Sequence, residues 1–299
     1  MARLSYPFGT IRPVPSLKCN MGCPYCTIFE YQDLSAKHRV PKEVEPQKWI
    51  DLFQRLDFRR GCRMVFGSGE PMLYEGCADL INAVPDHVDL LVYSNLSKST
   101  WREISRIKQR DNLNFYCSYH AHGDYLDDFI KHALYVMHRF RVLNFHAVPH
   151  SSVKDKLQAC RDECAKYDVD LNIYHPLVGN DIDGFHFYGE LVTDGRFAKR
   201  FQSPLQTVQC KTSFNHAGLQ SMNYPIGPDG TVFVCWRYLI DDDKTGSWGN
   251  IFDESFEYKD EYFTCDKYGD CNICAHDRNI LDMKGRELDN DIIGRTILC

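Results

Sequence analysis

The chain has 299 residues, of which 43% are hydrophobic and 25% charged. This is the composition of a folded globular protein with one large domain or two ordinary ones, and it excludes wholesale disorder. A net charge of −6 argues against a general nucleic-acid or anionic-membrane binder, which would carry excess lysine and arginine.

No apolar run is long enough to cross a bilayer, and residues 1–10 lack the apolar stretch of a secretory signal. A cytoplasmic location is therefore expected. Alternating apolar runs predict strands at Thr10–Pro15, Cys62–Phe66, Val88–Tyr93, Leu113–Ser118, Val142–Val148 and Val169–His175. Between them, apolar residues recur at helical spacing. One stripe is Trp49, Leu52, Phe53 and Leu56, and a second is Cys77, Leu80, Ile81 and Val84. A weaker one runs through Trp101, Ile104 and Ile107. Leu126, Phe129, Ile130, Ala133 and Met137 make a longer stripe, and Val153, Leu157, Cys160 and Cys164 the last. Six strands separated by helices predict right-handed crossovers and a parallel sheet, with working groups on loops at the C-terminal ends of the strands. The units are too few for a closed eightfold barrel. An open partial barrel, (β/α)6, and a doubly wound sheet both fit the count. Residues 176–204 show no clean period and read as an irregular connection. From about residue 205 short β-like pieces take over, and Tyr224–Ile226, Pro228–Gly230 and Thr231–Trp236 spell a hairpin. The expected division is residues 1–204 and residues 205–299.

The unusual number is 14 cysteines, six of them in the last 95 residues. With cytosolic thiols kept reduced, clustered cysteines point to metal or iron–sulfur ligation. Directly after the first strand comes Cys19-Asn-Met-Gly-Cys23-Pro-Tyr25-Cys26, a C-x3-C-x2-C loop. Three thiolates on one short loop can converge on one centre. A structural tetrahedral site takes four protein ligands, whereas a reactive site leaves a position open. Half of a zinc site with a stray thiol is the plainer alternative. Cys62, Cys77, Cys117, Cys160 and Cys164 fall on strand or helix faces and read as small buried hydrophobes.

This loop, placed after the first strand and with an aromatic residue before its third cysteine, resembles that of the radical S-adenosylmethionine (SAM) enzymes. The resemblance covers roughly residues 10–175. It implies that Cys19, Cys23 and Cys26 hold a four-iron, four-sulfur cluster whose open iron is chelated by SAM. Reductive cleavage of SAM then gives a 5′-deoxyadenosyl radical that takes a hydrogen atom from the substrate. An electron donor such as flavodoxin or ferredoxin is implied as well. Tyr25, Gly69, Glu70, Asn95 and Ser118 are the implied SAM-site residues. Gly67-Ser68-Gly69-Glu70-Pro71 stands where relatives often carry Gly-Gly-Glu-Pro, with Ser68 for a glycine. Ser94-Asn95-Leu96 stands where the auxiliary-cluster branch often has Thr-Asn-Gly, with Leu96 for the glycine. Turn capping accounts for Asn95 and Ser118 equally well. His120, His122, His146, His150 and His175 fall near the same strand ends, as structural histidines or substrate contacts. No residue stands out as a catalytic acid, base or nucleophile.

The C-terminal part adds Cys210, Gly230-Thr-Val-Phe-Val-Cys235, Gly249-Asn250-Ile251-Phe252, Cys265, and Cys271 with Cys274 as C-x2-C. It resembles the SPASM extension, or its shorter form Twitch, which hold auxiliary four-iron clusters. Six cysteines suit one cluster, with Cys210, Cys235, Cys271 and Cys274 as the implied ligands. Cys265 could replace one of them, and Cys299 is a less favoured ligand on a fraying terminus. Tetrahedral zinc is again the alternative, which would make the chain a non-catalytic zinc-binding protein. The resemblance implies a peptide or small-molecule substrate. With only 18 residues before Cys19, no N-terminal peptide-recognition domain is expected.

Overall fold

The computed structural model describes residues 4–6, 9–23, 26, 42–149, 153–173, 206–211, 213–216, 219–222, 224–268, 279–281 and 283–284. In chain order these form β1 (Leu4–Tyr6), β2 (Thr10–Pro13), α1 (Pro46–Arg55), β3 (Leu56–Phe58), β4 (Arg63–Phe66), α2 (Cys77–Ala83), β5 (Asp89–Ser94), α3 (Trp101–Ile104), β6 (Leu113–Tyr119), α4 (Leu126–Arg139), β7 (Arg141–Ala147), α5 (Lys154–Ala165) and β8 (Leu171–Ile173). The C-terminal part adds β9 (Gln206–Lys211), β10 (Ser213–His216), β11 (Leu219–Met222), β12 (Pro225–Ile226), β13 (Thr231–Phe233), α6 (Trp236–Ile240), β14 (Ser247–Asn250), β15 (Phe263–Tyr268) and β16 (Asn279–Leu281).

All six predicted parallel strands are present as β2, β4, β5, β6, β7 and β8. They lie side by side in chain order, every neighbouring pair parallel. That order decides between the two expected architectures. A doubly wound sheet reverses its strand order at a switch point, whereas a barrel winds one way. The fold is α/β, a partial barrel of parallel strands.

The main core lies between the sheet and the helices. Ile11, Met64, Phe66, Leu90, Val92 and Phe115 from the strands meet Trp49, Leu52, Phe53, Leu80, Ile81 and Phe129 from the helices. Three details of the predicted stripes are corrected. Leu56 closes no helix but opens β3, which pairs in parallel with β1. Val84 is the extended residue that ends α2. On α4 Val136 turns inward and Met137 is left 38% exposed.

The expected hairpin forms as β12 and β13. β12 also pairs in parallel with Arg12 and Pro13 of β2, so β12, β13 and β14 extend the main sheet to nine strands. A three-stranded antiparallel sheet, β15-β9-β16, carries Cys210 opposite Phe263 and Cys265 opposite Val208. Residues 176–204, Tyr25, His150, His175, Cys271, Cys274 and Cys299 lie outside the described residues. Among the described residues no helix is long and apolar enough to cross a membrane.

Candidate functional site

The parallel strands all end at one edge, and the loops there carry every described residue that the sequence marked near the N-terminal cysteines. The cysteine loop leaves β2, Gly67–Pro71 leaves β4, Asn95–Ser97 leaves β5, and Ser118 to His120 straddle the end of β6. Side chains and backbone stitch these loops together. The Glu70 amide donates to the Lys18 carbonyl at 2.7 Å. Gly69 approaches so closely that a Cβ there would lie 2.5 Å from the Lys18 carbonyl oxygen, and its φ is +57°; only glycine fits both demands. Glu70 Oε1 accepts the Met72 amide at 3.0 Å, and Oε2 accepts the Asn95 amide at 2.6 Å. Asn95 Nδ2 donates to Asn20 Oδ1 at 2.9 Å, and Asn20 Nδ2 donates to the Ser97 and Ser99 hydroxyls, each at 2.9 Å. Glu70 therefore ties the β4 loop to the β5 loop, and Asn20 ties the cysteine loop to the β5 loop.

The two departures from glycine acquire a physical meaning. Ser68 has φ of 76° and Leu96 has φ of 53°, the left-handed region that glycine occupies without strain. Leu96 is held there from outside: its carbonyl accepts His132 Nδ1–H at 2.7 Å, and the His132 ring stacks on Trp101 at 4.5 Å with a 9° interplanar angle. This hydrogen bond assigns the proton to Nδ1, and burial lowers the His132 pKa.

Cys19, Cys23 and Cys26 are thiols rather than disulfide halves, Cys23 buried and the other two half-buried, and the Cys26 amide donates to the Cys23 carbonyl at 3.0 Å. Burial first, and then the negative charges of Glu70 and Cys26, push the Cys19 thiol up to about 11. Among the described residues no three cysteine, histidine or carboxylate side chains are gathered at one metal-sized point. The donor set still fits a metal centre in its chemistry. Three thiols share one loop, negative charge there is disfavoured until a cation arrives, and metal binding is what deprotonates such thiols. Gly22, in the middle of the loop, has none of the described residues within 4 Å of the position a Cβ would take.

Glu70 itself is 2% exposed. Burial raises its pKa from 4.5 to about 7, against the lowering effect of the Asn95 and Met72 amides and the Ser94 hydroxyl. Ser118 Oγ lies 3.1 Å from His146 Nε2. The His120 amide donates to Tyr125 Oη at 2.8 Å, and burial, with help from His122, lowers the His120 pKa to about 4. His120 is a neutral ring at ordinary pH.

A second buried cluster gathers Cys210, Cys235 and Cys265 with Val14, Leu17, Phe233, Val234, Tyr238 and Leu239. Tyr238 feels the charges of both Cys265 and Cys235, and its hydroxyl donates to Asp266 Oδ1 at 3.2 Å. Cys265 thus joins Cys210 and Cys235. Val14 and Leu17 lie on the stretch leading from β2 to Cys19, so the two cysteine groups flank one segment. Cys62, Cys77, Cys117, Cys160 and Cys164 are buried, as expected of small hydrophobes. Sequence reasoning passed over Asn20 and His132. Asn20 lies inside the cysteine motif, and His132 interrupts an apolar helix face between Phe129 and Ala133. Those positions were the available signals.

No family model matches the chain. The chain is similar to native anSMEcpe with bound AdoMet (16% identity, covering 82% of this chain and 78% of that one, TM-score 0.46). It is also similar to Streptococcus suis SuiB bound to precursor peptide SuiA (14% identity, 83% of this chain and 63% of that one, TM-score 0.48). A third is BtrN in complex with AdoMet and 2-DOIA (15% identity, 84% and 80%, TM-score 0.39).

Proposed function

We propose that the chain is a radical SAM enzyme that abstracts a hydrogen atom from a peptide or small-molecule substrate. The observation that carries this is the placement of the C-x3-C-x2-C loop: it leaves the first strand of a singly wound parallel sheet at the edge where such sheets bind ligands, sewn to the loops of β4 and β5 by Glu70, Asn95 and Asn20. Cys19, Cys23 and Cys26 would hold a 4Fe-4S cluster with SAM on its open iron. When bound, that pair supplies the electron and the sulfonium whose cleavage gives the 5′-deoxyadenosyl radical.

The chain's own groups prepare the edge. Gly69 lets the β4 loop come within contact of the cysteine loop. Glu70 presents a buried carboxyl that can accept a hydrogen bond from the SAM ammonium, an interaction of the strong charge-assisted kind. Tyr25 and Ser118 belong to the same proposed surface. Buried side chains behind these loops help to exclude water and stray hydrogen donors, the closure that a carbon radical requires.

The functional division falls at about residue 204. Residues 205–299 would hold one auxiliary 4Fe-4S cluster that takes up an electron or places the substrate. Cys210, Cys235, Cys271 and Cys274 remain its proposed ligands, and the packing of Cys265 beside Cys210 and Cys235 makes Cys265 the strongest substitute. Flavodoxin or ferredoxin would supply the first electron, in the cytoplasm.

Anaerobic reconstitution followed by metal analysis is the test. The enzyme binds about eight irons per chain if both four-iron clusters form, is brown, and makes 5′-deoxyadenosine with reductant. A colourless chain with stoichiometric zinc and no SAM cleavage is the opposing result.

A further inference from the structure

The parallel sheet has two unlike faces. Residues pointing at the helices are apolar and form the main core. The alternate residues point the other way, and there the chemistry changes. The Tyr93 and Tyr116 rings lie 4.9 Å apart, and those of Tyr116 and His146 lie 4.8 Å apart. The Asn172 amide donates to Asn144 Oδ1 at 2.9 Å, and the Asn144 amide reaches Tyr116 Oη at 3.3 Å. Closed barrels fill this face with branched apolar side chains. Here its rows nearest the loops are hydrogen-bonding groups, and Tyr93, Tyr116, Ser118 and Asn144 are half-buried.

Arg12 stands on the same face, in the middle of the nine-stranded sheet. Pro225 of β12 is its cross-strand partner. The pairing of Thr10 with Arg63 puts Val65 beside it on β4, and Val65 is buried. Arg12 Nε is shielded from solvent without a hydrogen-bond partner, and no ion pair of Arg12 occurs among the described residues. The neighbouring cation, Arg63, already has Asp89 at 3.7 Å. Among the described residues this part of the face thus carries two guanidiniums against one carboxylate. Arg12 is half-buried, so shielding its Nε without a counter-charge carries part of the cost of desolvating a cation, and the planar fork of its guanidinium matches a carboxylate or phosphate.

We propose that Arg12 anchors an anionic group, a carboxylate or a phosphate, of the substrate, whose neutral hydroxyl- or amide-bearing remainder lies along Tyr93, Tyr116 and Asn144. The inference rests on the enzyme reading above and narrows its substrate class.

The test titrates the cluster-loaded, SAM-bound chain calorimetrically with glutarate, with its neutral counterpart glutaramide, and with inorganic phosphate. The same is done for Arg12→Gln and Arg12→Lys, with iron content, SAM affinity and thermal melting followed in parallel. Wild type binds glutarate or phosphate at least tenfold more tightly than glutaramide; whichever of the two it prefers identifies the oxyanion. The preference vanishes in Arg12→Gln and survives in part in Arg12→Lys, at unchanged iron content and SAM affinity. Equal binding of charged and neutral probes by wild type overturns the proposal. So does loss of iron from Arg12→Gln, which would make Arg12 a counter-charge for a cluster. Absence of iron and of SAM cleavage in wild type would instead defeat the enzyme reading; the same titrations of the iron-free chain then read the anion preference of Arg12 by itself, and equal binding of charged and neutral probes there overturns the proposal.

Discussion

At Glu70 two backbone amides favour the carboxylate and burial opposes it; burial prevails and the pKa rises to about 7. The consequence for stability has a definite sign. Between the unfolded value near 4.5 and the folded value near 7 the folded chain holds a proton that the unfolded chain has released. Stability therefore falls as pH rises through that window and levels off above it, by an amount on the order of a few kcal/mol. In the iron-free chain Glu70→Gln removes this slope; denaturant melts from pH 4 to 8 measure it, and an unchanged slope in the variant would contradict the account. Glu70 was legible because Gly-Ser-Gly-Glu-Pro follows a strand. Its bond to Asn95 was not, since no sequence pattern reports which amide a carboxylate meets on a neighbouring strand's loop.

Among elements, α4 and the loop after β5 form one unit. The His132–Leu96 hydrogen bond and the Trp101 stack hold Leu96 in the left-handed conformation. His132→Phe keeps a ring for Trp101 but loses the donor. It is expected to cost about 1–3 kcal/mol, the cost of leaving a buried carbonyl unsatisfied, and to weaken SAM binding because Asn95 precedes the freed residue. Denaturant titration and equilibrium dialysis of SAM read the two effects, and a variant equal to wild type in both would refute the linkage. The helices were legible from the 3.6-residue period, which places Trp49, Leu80 and Phe129 in the core. That period could not choose between Val136 and Met137, since both continue the stripe from Ala133. Strand β3 was missed because Leu56 continues the helical spacing of Trp49, Leu52 and Phe53, and β1 because three residues carry too little alternation.

For the whole molecule, six parallel strands were legible from their alternation with helices, but their order was not. Neither was the pairing of β12 with β2, which joins the C-terminal hairpin to the barrel sheet and brings Val14 against Cys210 and Cys235. Non-local pairings leave no local trace. The same packing yields a prediction at this scale: Cys235→Ala lowers iron from about eight to about four per chain while Cys299→Ala leaves it unchanged. Loss confined to Cys299→Ala would reverse that choice of ligand.

On the proposed function, the loop after β2 generates the radical from SAM. Uncoupled formation of 5′-deoxyadenosine, measured under reducing, anaerobic conditions in wild type and in Cys23→Ala, tests it most directly. Wild type is expected to turn over and the variant is not; equal turnover in both would refute the assignment of Cys19, Cys23 and Cys26.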